Sequence, residues 1–288
     1  MIYSEKNTNF DLDKKIRRDL KDFEMSQNKK VIFGSTIGSI SRGIHNQNSD
    51  YDVRFLFLEG DLSFSNKSNW HNEKLIRHRV YDKSSLCNCI PLWDMNAFLN
   101  FINEPYIDRK ISYKLFHNVI WTFYSPYAFD PFGIQQVVKD FLNTDVNRKY
   151  EFSYHLNEAY VYKEKFLLEH DFKSFIYALH HFLSSFYIYK FKALPSTDIH
   201  HLYQILNEKD KNMIEGINLK YKKNDVQLRN KEILKLLEIL HYYSSQFPIE
   251  SNDINFEIAK SNNFPQLQKT LSDIISSFSI TKSYINNI

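Results

Sequence analysis

The chain has 288 residues, 37 Lys+Arg against 34 Asp+Glu, and two cysteines. That length buries a core in one large domain or two small ones, and 43% hydrophobic with 25% charged residues is ordinary globular composition. Collagen, coiled coil, disulfide scaffold and full-length disorder are excluded, and no stretch approaches the ~18 apolar residues of a membrane-spanning helix.

In chain order, Leu12, Ile16, Leu20 and Phe23 recur at steps of four, four and three, which predicts a helix over residues 10–23. Val31-Ile32-Phe33 then reads as a short buried strand ending in glycine, and SRGIHNQNS as a polar loop. DYDVRFLFL, from Asp50 to Leu58, predicts a second strand, and KLIRHRVY, from Lys74 to Tyr81, a third. Asp94 is placed to cap a helix from Met95 to Ile102. Beyond about residue 130, segments 134–143, 152–169, 172–192, 199–207 and 230–246 predict helices, with one more over 267–278. The expected organisation is an α/β core over 1–130, a helical domain over 131–247 that closes a cleft, and a partly helical tail over 248–288.

The chemistry concentrates in Gly38-Ser39-Ile40-Ser41-Arg42-Gly43 and Ser49-Asp50-Tyr51-Asp52-Val53-Arg54. Side chains two apart on a strand point to one face, so Asp50, Asp52 and Arg54 share a face and Tyr51, Val53 and Phe55 take the other. Two carboxylates there repel each other unless a divalent cation sits between them. Upstream, a strand ending in Gly-Ser lets backbone approach a phosphate closely, with the Ser39 hydroxyl and N–H groups as donors. A phosphate clamp with metal carboxylates is the minimum apparatus for phosphoryl or nucleotidyl transfer. Gly34-Ser35 offers the same dipeptide, but Gly38-Ser39 stands at the better spacing from Asp50. Arg54 has two readings, a phosphate contact or a buttress for Asp52. Asp94 also has two, a helix cap or a further carboxylate.

This pattern resembles the DNA polymerase β-type nucleotidyltransferase superfamily, whose signature is a Gly-Ser turn followed by Asp-x-Asp. SDYDVRF further resembles the predicted nucleotidyltransferase family of the phage RNA-ligase-associated protein. Later pieces follow in order: LWDMNAFLNFI, KSFIYALHHFL and YIYKFKALPSTDIHHL. The resemblance covers residues 30–225 in patches. It implies an α+β fold, a small mixed β-sheet core with flanking helices followed by an all-α domain. It implies Mg²⁺ or Mn²⁺ held by Asp50 and Asp52, and an NTP substrate whose triphosphate meets Gly38, Ser39 and Arg42. Lys173, Tyr177 and His180, at i, i+4 and i+7 on one helical face, would add to that nucleotide site. Departures are Ile40 and Arg42 in place of the family's arginine and tryptophan, His180 in place of an arginine, and Cys89 in place of a strand aspartate. The last removes a third metal carboxylate, for which Asp94 is the nearest substitute.

The expectation is a metal-dependent nucleotidyltransferase that moves an NMP from an NTP to a hydroxyl on an RNA end, a protein or a small molecule. The alternative is a catalytically impaired nucleotide- or RNA-binding relative. The net charge of +3 is too small to establish an RNA partner, although Lys14-Lys15, Arg17-Arg18, Arg77, Arg79, Lys220 and Lys222-Lys223 form local basic clusters. The 24 Phe and 19 Tyr are accounted for by coding bias without base stacking. The polar N-terminus, the lack of an apolar span and the close pair Cys87 and Cys89 predict a cytoplasmic protein with no membrane partner.

Overall fold

The computed structural model describes residues 14, 17–26, 29–46, 49, 51–59, 87–94, 98, 113–223, 227–246 and 264–285. The architecture is α+β, with a four-stranded mixed sheet, flanking helices and a helical region. It divides into two compact units, one of residues 1–38, 50–141 and 261–288, the other of 39–49 and 142–260. These units interleave along the chain.

In the first unit, helix α1 (17–26) precedes strand β1 (Lys29–Thr36). Strand β2 (Tyr51–Glu59) runs antiparallel to β1 and parallel to β3 (Cys87–Asp94), and the short β4 (Ala128–Phe129) closes the other edge. The strand order is β3-β2-β1-β4. Every residue of β1 from Val31 to Thr36 is buried, as a strand covered on both faces requires. Alternation decides which side chain meets which cover. Phe55 and Phe57 of β2 meet Phe23 of α1, with centroids 4.6 and 5.8 Å apart. On the opposite face, Phe33 stacks on Phe123 of helix α3 (Tyr113–Tyr124) at 4.6 Å, and the Ser35 hydroxyl donates to the Thr122 carbonyl at 2.6 Å. Each of these fully buried aromatic rings contributes roughly 1.5–3 kcal/mol. Glu24 ties α1 to β1, accepting from the Val31 amide (2.8 Å) and the Lys30 ammonium (2.7 Å). Helix α4 (Ile134–Leu142) follows, its first amides bonded to Asp130, and α10 (Phe264–Ile285) buries Leu267 and Leu271.

The second unit is built on α5 (Asp145–Glu169) and α6 (Phe172–Phe191). His170 takes a left-handed conformation and Asp171 accepts from the Ser174 amide at 2.9 Å, so one helix stops and the next starts within two residues. Phe175, Ile176, Ala178, Leu179, Phe182 and Leu183 are fully buried, which makes α6 the central helix. The chain continues through α7 (Ile199–Leu202), a 3₁₀ turn at Tyr203–Ile205, α8 (Glu208–Lys222) and α9 (Asn230–Ser245). The single-turn helix α2 (Gly38–Ser41) begins at the last residue of the first unit and ends in the second.

The strand expected at residues 74–81 lies outside the described residues, as does most of the helix expected at 95–102, of which Phe98 is helical.

Candidate functional site

The first unit brings Gly38 and the second aspartate together. Strand β1 pairs with β2 up to Thr36 and Val53, and the Ile37 amide then donates to the Asp52 carbonyl at 3.0 Å. The next residue, Gly38, has φ +69, a conformation glycine adopts without strain. A Cβ on Gly38 would lie 3.5 Å from Asp52 Oδ2. The bare backbone of the turn thus faces a half-buried carboxylate. Gly34 has a different task. A Cβ there would come within 2.9 Å of Leu20 Cδ1 and 3.4 Å of Phe55 Cβ, so Gly34 admits α1 to the sheet.

Arg54 stands two residues beyond Asp52, paired with Ser35 on the face covered by α3. Its Nη1 donates to the Asn118 carbonyl at 3.1 Å, which anchors the guanidinium to that helix. Asp50, the partner carboxylate of the expected metal pair, lies outside the described residues.

The β2–β3 register bears on the third carboxylate. Asn88 holds the position beside Asp52, Cys89 that beside Val53, and Ile90 that beside Arg54. Register partners on neighbouring strands share a face, so the position matching Asp52 belongs to Asn88, not Cys89. Asp94 is the last residue of β3 and pairs with Phe57. Five strand steps separate Phe57 from Asp52 along β2.

In the second unit, Arg42 and Tyr177 meet: the guanidinium carbon is 5.0 Å from the ring centroid. Tyr162 lies 5.0 Å from Tyr177. Burial raises the Tyr162 phenol first, the neighbouring Tyr177 next, and Arg42 pulls the other way. Burial also raises Tyr154, helped by Glu158 and Glu151 and again opposed by Arg42. Both phenols are therefore held neutral beside Arg42. The face of Lys173, Tyr177 and His180 runs from exposed through half-buried to fully buried. His180 is turned inward, with Nε2 donating to the Thr197 carbonyl at 2.7 Å. Ser39 is half-buried, and its carbonyl accepts from the Ile44 amide at 3.0 Å.

Sequence reasoning missed a buried polar array in the same unit. His155 and His181 join through their Nδ1 atoms at 2.8 Å, and Glu151 Oε2 lies 3.5 Å from His155 Nε2. The i, i+4 spacing of Glu151 and His155 was the one local signal for it.

Residues 12–64 match the model of the RNA repair pathway DNA polymerase beta family. The matched stretch contains β1, the Gly38 turn and β2, and it supports a polymerase β-type nucleotidyltransferase-like protein. No curated protein and no solved structure matches the chain. No helix among the described residues is long and apolar enough to cross a membrane.

Proposed function

We infer that this chain, polymerase β-like over residues 12–64, transfers a nucleoside monophosphate from an NTP to a hydroxyl acceptor and releases pyrophosphate. The observation that carries the reading is the apposition of the positive-φ Gly38 turn and the Asp52 carboxylate. Asp50 and Asp52 would hold Mg²⁺ or Mn²⁺, for which hard carboxylate oxygens are fitting ligands. Bound there, the ion supplies charge neutralisation at the phosphates. The Gly38 backbone and the Ser39 hydroxyl receive the triphosphate, and Arg42 adds a fixed positive charge. Lys173 is exposed at the start of α6, and the Tyr177 ring lies against Arg42. The acceptor oxygen forms its bond to the α-phosphorus as the bond to the pyrophosphate oxygen breaks, and the hydroxyl proton passes to solvent. An RNA end, a protein or a small molecule would each provide that hydroxyl. The family description, with its RNA repair pathway, supports RNA.

Replacing Asp50 and Asp52 with Asn together should abolish Mg²⁺-dependent NTP binding and leave the fold intact, read by calorimetric titration beside circular dichroism. Unchanged Mg²⁺-dependent affinity in the double variant overturns the assignment.

A second reading, a relative that binds nucleotide without transferring it, is favoured by Asn88 at the register position of Asp52. Labelled NTPs separate the two. Pyrophosphate release with an RNA or cell-extract acceptor supports transfer, and tight Mg²⁺-dependent binding without release supports the second reading.

A further inference from the structure

A helix of one turn leaves its last carbonyls without intrahelical partners. In α2 and the residue after it, these carbonyls are met from the far side of the sequence. Thr197 Oγ1 donates to the Ser41 carbonyl at 3.0 Å, and the Ile199 amide donates to the Arg42 carbonyl at 3.1 Å. Thr197 is fully buried, and its own carbonyl accepts from His180 Nε2 at 2.7 Å. The seat is also tight. Gly43 has φ +70, and a Cβ on it would lie 2.7 Å from Asp198 Oδ1 and 3.1 Å from His200 Cδ2. Asp198 is fixed in turn, since its Oδ1 accepts from the His200 amide at 3.0 Å and caps α7. The end of α2 is therefore held at its side-chain, backbone and steric contacts by residues 197–200.

We propose that Thr197 is a positioning residue for the nucleotide turn: by capping α2 at Ser41, it sets where Ser39 and Arg42 stand when an NTP arrives. The inference rests on the reading of Gly38 and Ser39 as the triphosphate turn. Four residues of helix span about 6 Å, so a displacement at Ser41 is carried almost whole to Ser39. Loss of the Thr197 hydroxyl removes a donor from a buried carbonyl, and movement of the turn toward water replaces it. Reciprocity follows, because a seat that favours NTP binding must itself be tightened by NTP.

The test titrates the full chain with each of the four NTPs in Mg²⁺ and compares Thr197→Val, Thr197→Ser, Asn207→Ala and Gly38→Val. Thr197→Val keeps the shape and removes the donor, and it should weaken NTP binding roughly tenfold, as loss of one buried hydrogen bond does. Thr197→Ser restores the hydroxyl and should return affinity to within about twofold of the parent. Asn207→Ala removes the cap of α8, where Asn207 accepts from the Asp210 amide, and should lower Tm without changing NTP affinity. That control separates positioning from general destabilisation. Parent-like affinity in Thr197→Val, with binding lost in Gly38→Val, overturns the proposal and keeps the turn assignment. Parent-like affinity in Gly38→Val overturns the turn assignment and the proposal with it. If Thr197→Val does not fold, amide exchange at Ile199 in the parent decides the matter. Saturating Mg²⁺–NTP should slow that exchange, and an unchanged rate overturns the proposal.

Discussion

Gly34 and Gly38 each precede a serine in the same short stretch, yet the absence of a side chain does different work at the two positions. At Gly34 it makes room for Leu20, 2.9 Å from where a Cβ would be. At Gly38 it permits φ +69 and a close approach to Asp52. Gly34→Ala should therefore lose about 1–3 kcal/mol of stability by overpacking and keep its NTP affinity. Gly38→Val should lose at least about tenfold in NTP affinity, because a β-branched residue is strained at positive φ and its methyls fill the turn. Thermal melts and NTP titrations of the two variants check the contrast. In the sequence, spacing from Asp50 singles out Gly38 over Gly34, because that relation is local. The register of Asn88 beside Asp52 was not legible, because β3 lies some thirty residues further along and strand pairing leaves no mark in either strand alone.

Among the elements, those with a strong local period were legible. Leu236, Ile239, Leu240 and Tyr243 are the buried stripe of α9, spaced three, one and three apart. Helix α3, YKLFHNVIWTFY, escaped notice because a helix buried on most sides carries a nearly continuous apolar run, which reads equally as strand. Helix α8 buries only Ile214, Ile217 and Asn218, and Gly216 interrupts it, although the Asn207 cap four residues before Lys211 was a usable start signal. β4, two residues long, has no signature of its own. Helix α9 also carries a testable charge device. The Glu232 carboxylate accepts from the Arg229 amide at 2.9 Å and from its guanidinium at 2.8 and 3.1 Å. The Arg229 side chain first, and its amide next, hold the Glu232 carboxyl down at about 2. A carboxyl lowered by folding stabilises the fold above its ordinary value and loses that contribution as pH falls toward the folded value. Glu232→Gln should lower Tm slightly at pH 6, on the order of 1 °C for so exposed a pair, and the gap should close between about pH 4.5 and 2. Melts of both proteins across that range read it directly.

At the scale of the molecule, the interleaving of the two units was invisible in the sequence, which shows a tidy change from mixed to helical pattern near residue 130. Segment 39–49 belongs with residues 142–260, and a helical fragment cut at 142 lacks it. That fragment should melt well below the full chain, and an added peptide of residues 38–49 should raise its Tm with concentration, as a ligand of the native state does. A peptide without effect would mean that the seat at 197–200 adds nothing to the unit. The remote cap on α2 also orders events during synthesis. Thr197 leaves the ribosome 156 residues after Ser41. At ~5–20 residues per second, the turn waits about 8–30 s for its partner. Throughout that interval Gly38 and Ser39 are already made while the cap on Ser41 does not yet exist. The nascent chain thus carries the Gly-Ser turn well before it can cap it; if that turn receives the triphosphate as proposed, nucleotide binding would report that translation has passed residue 200.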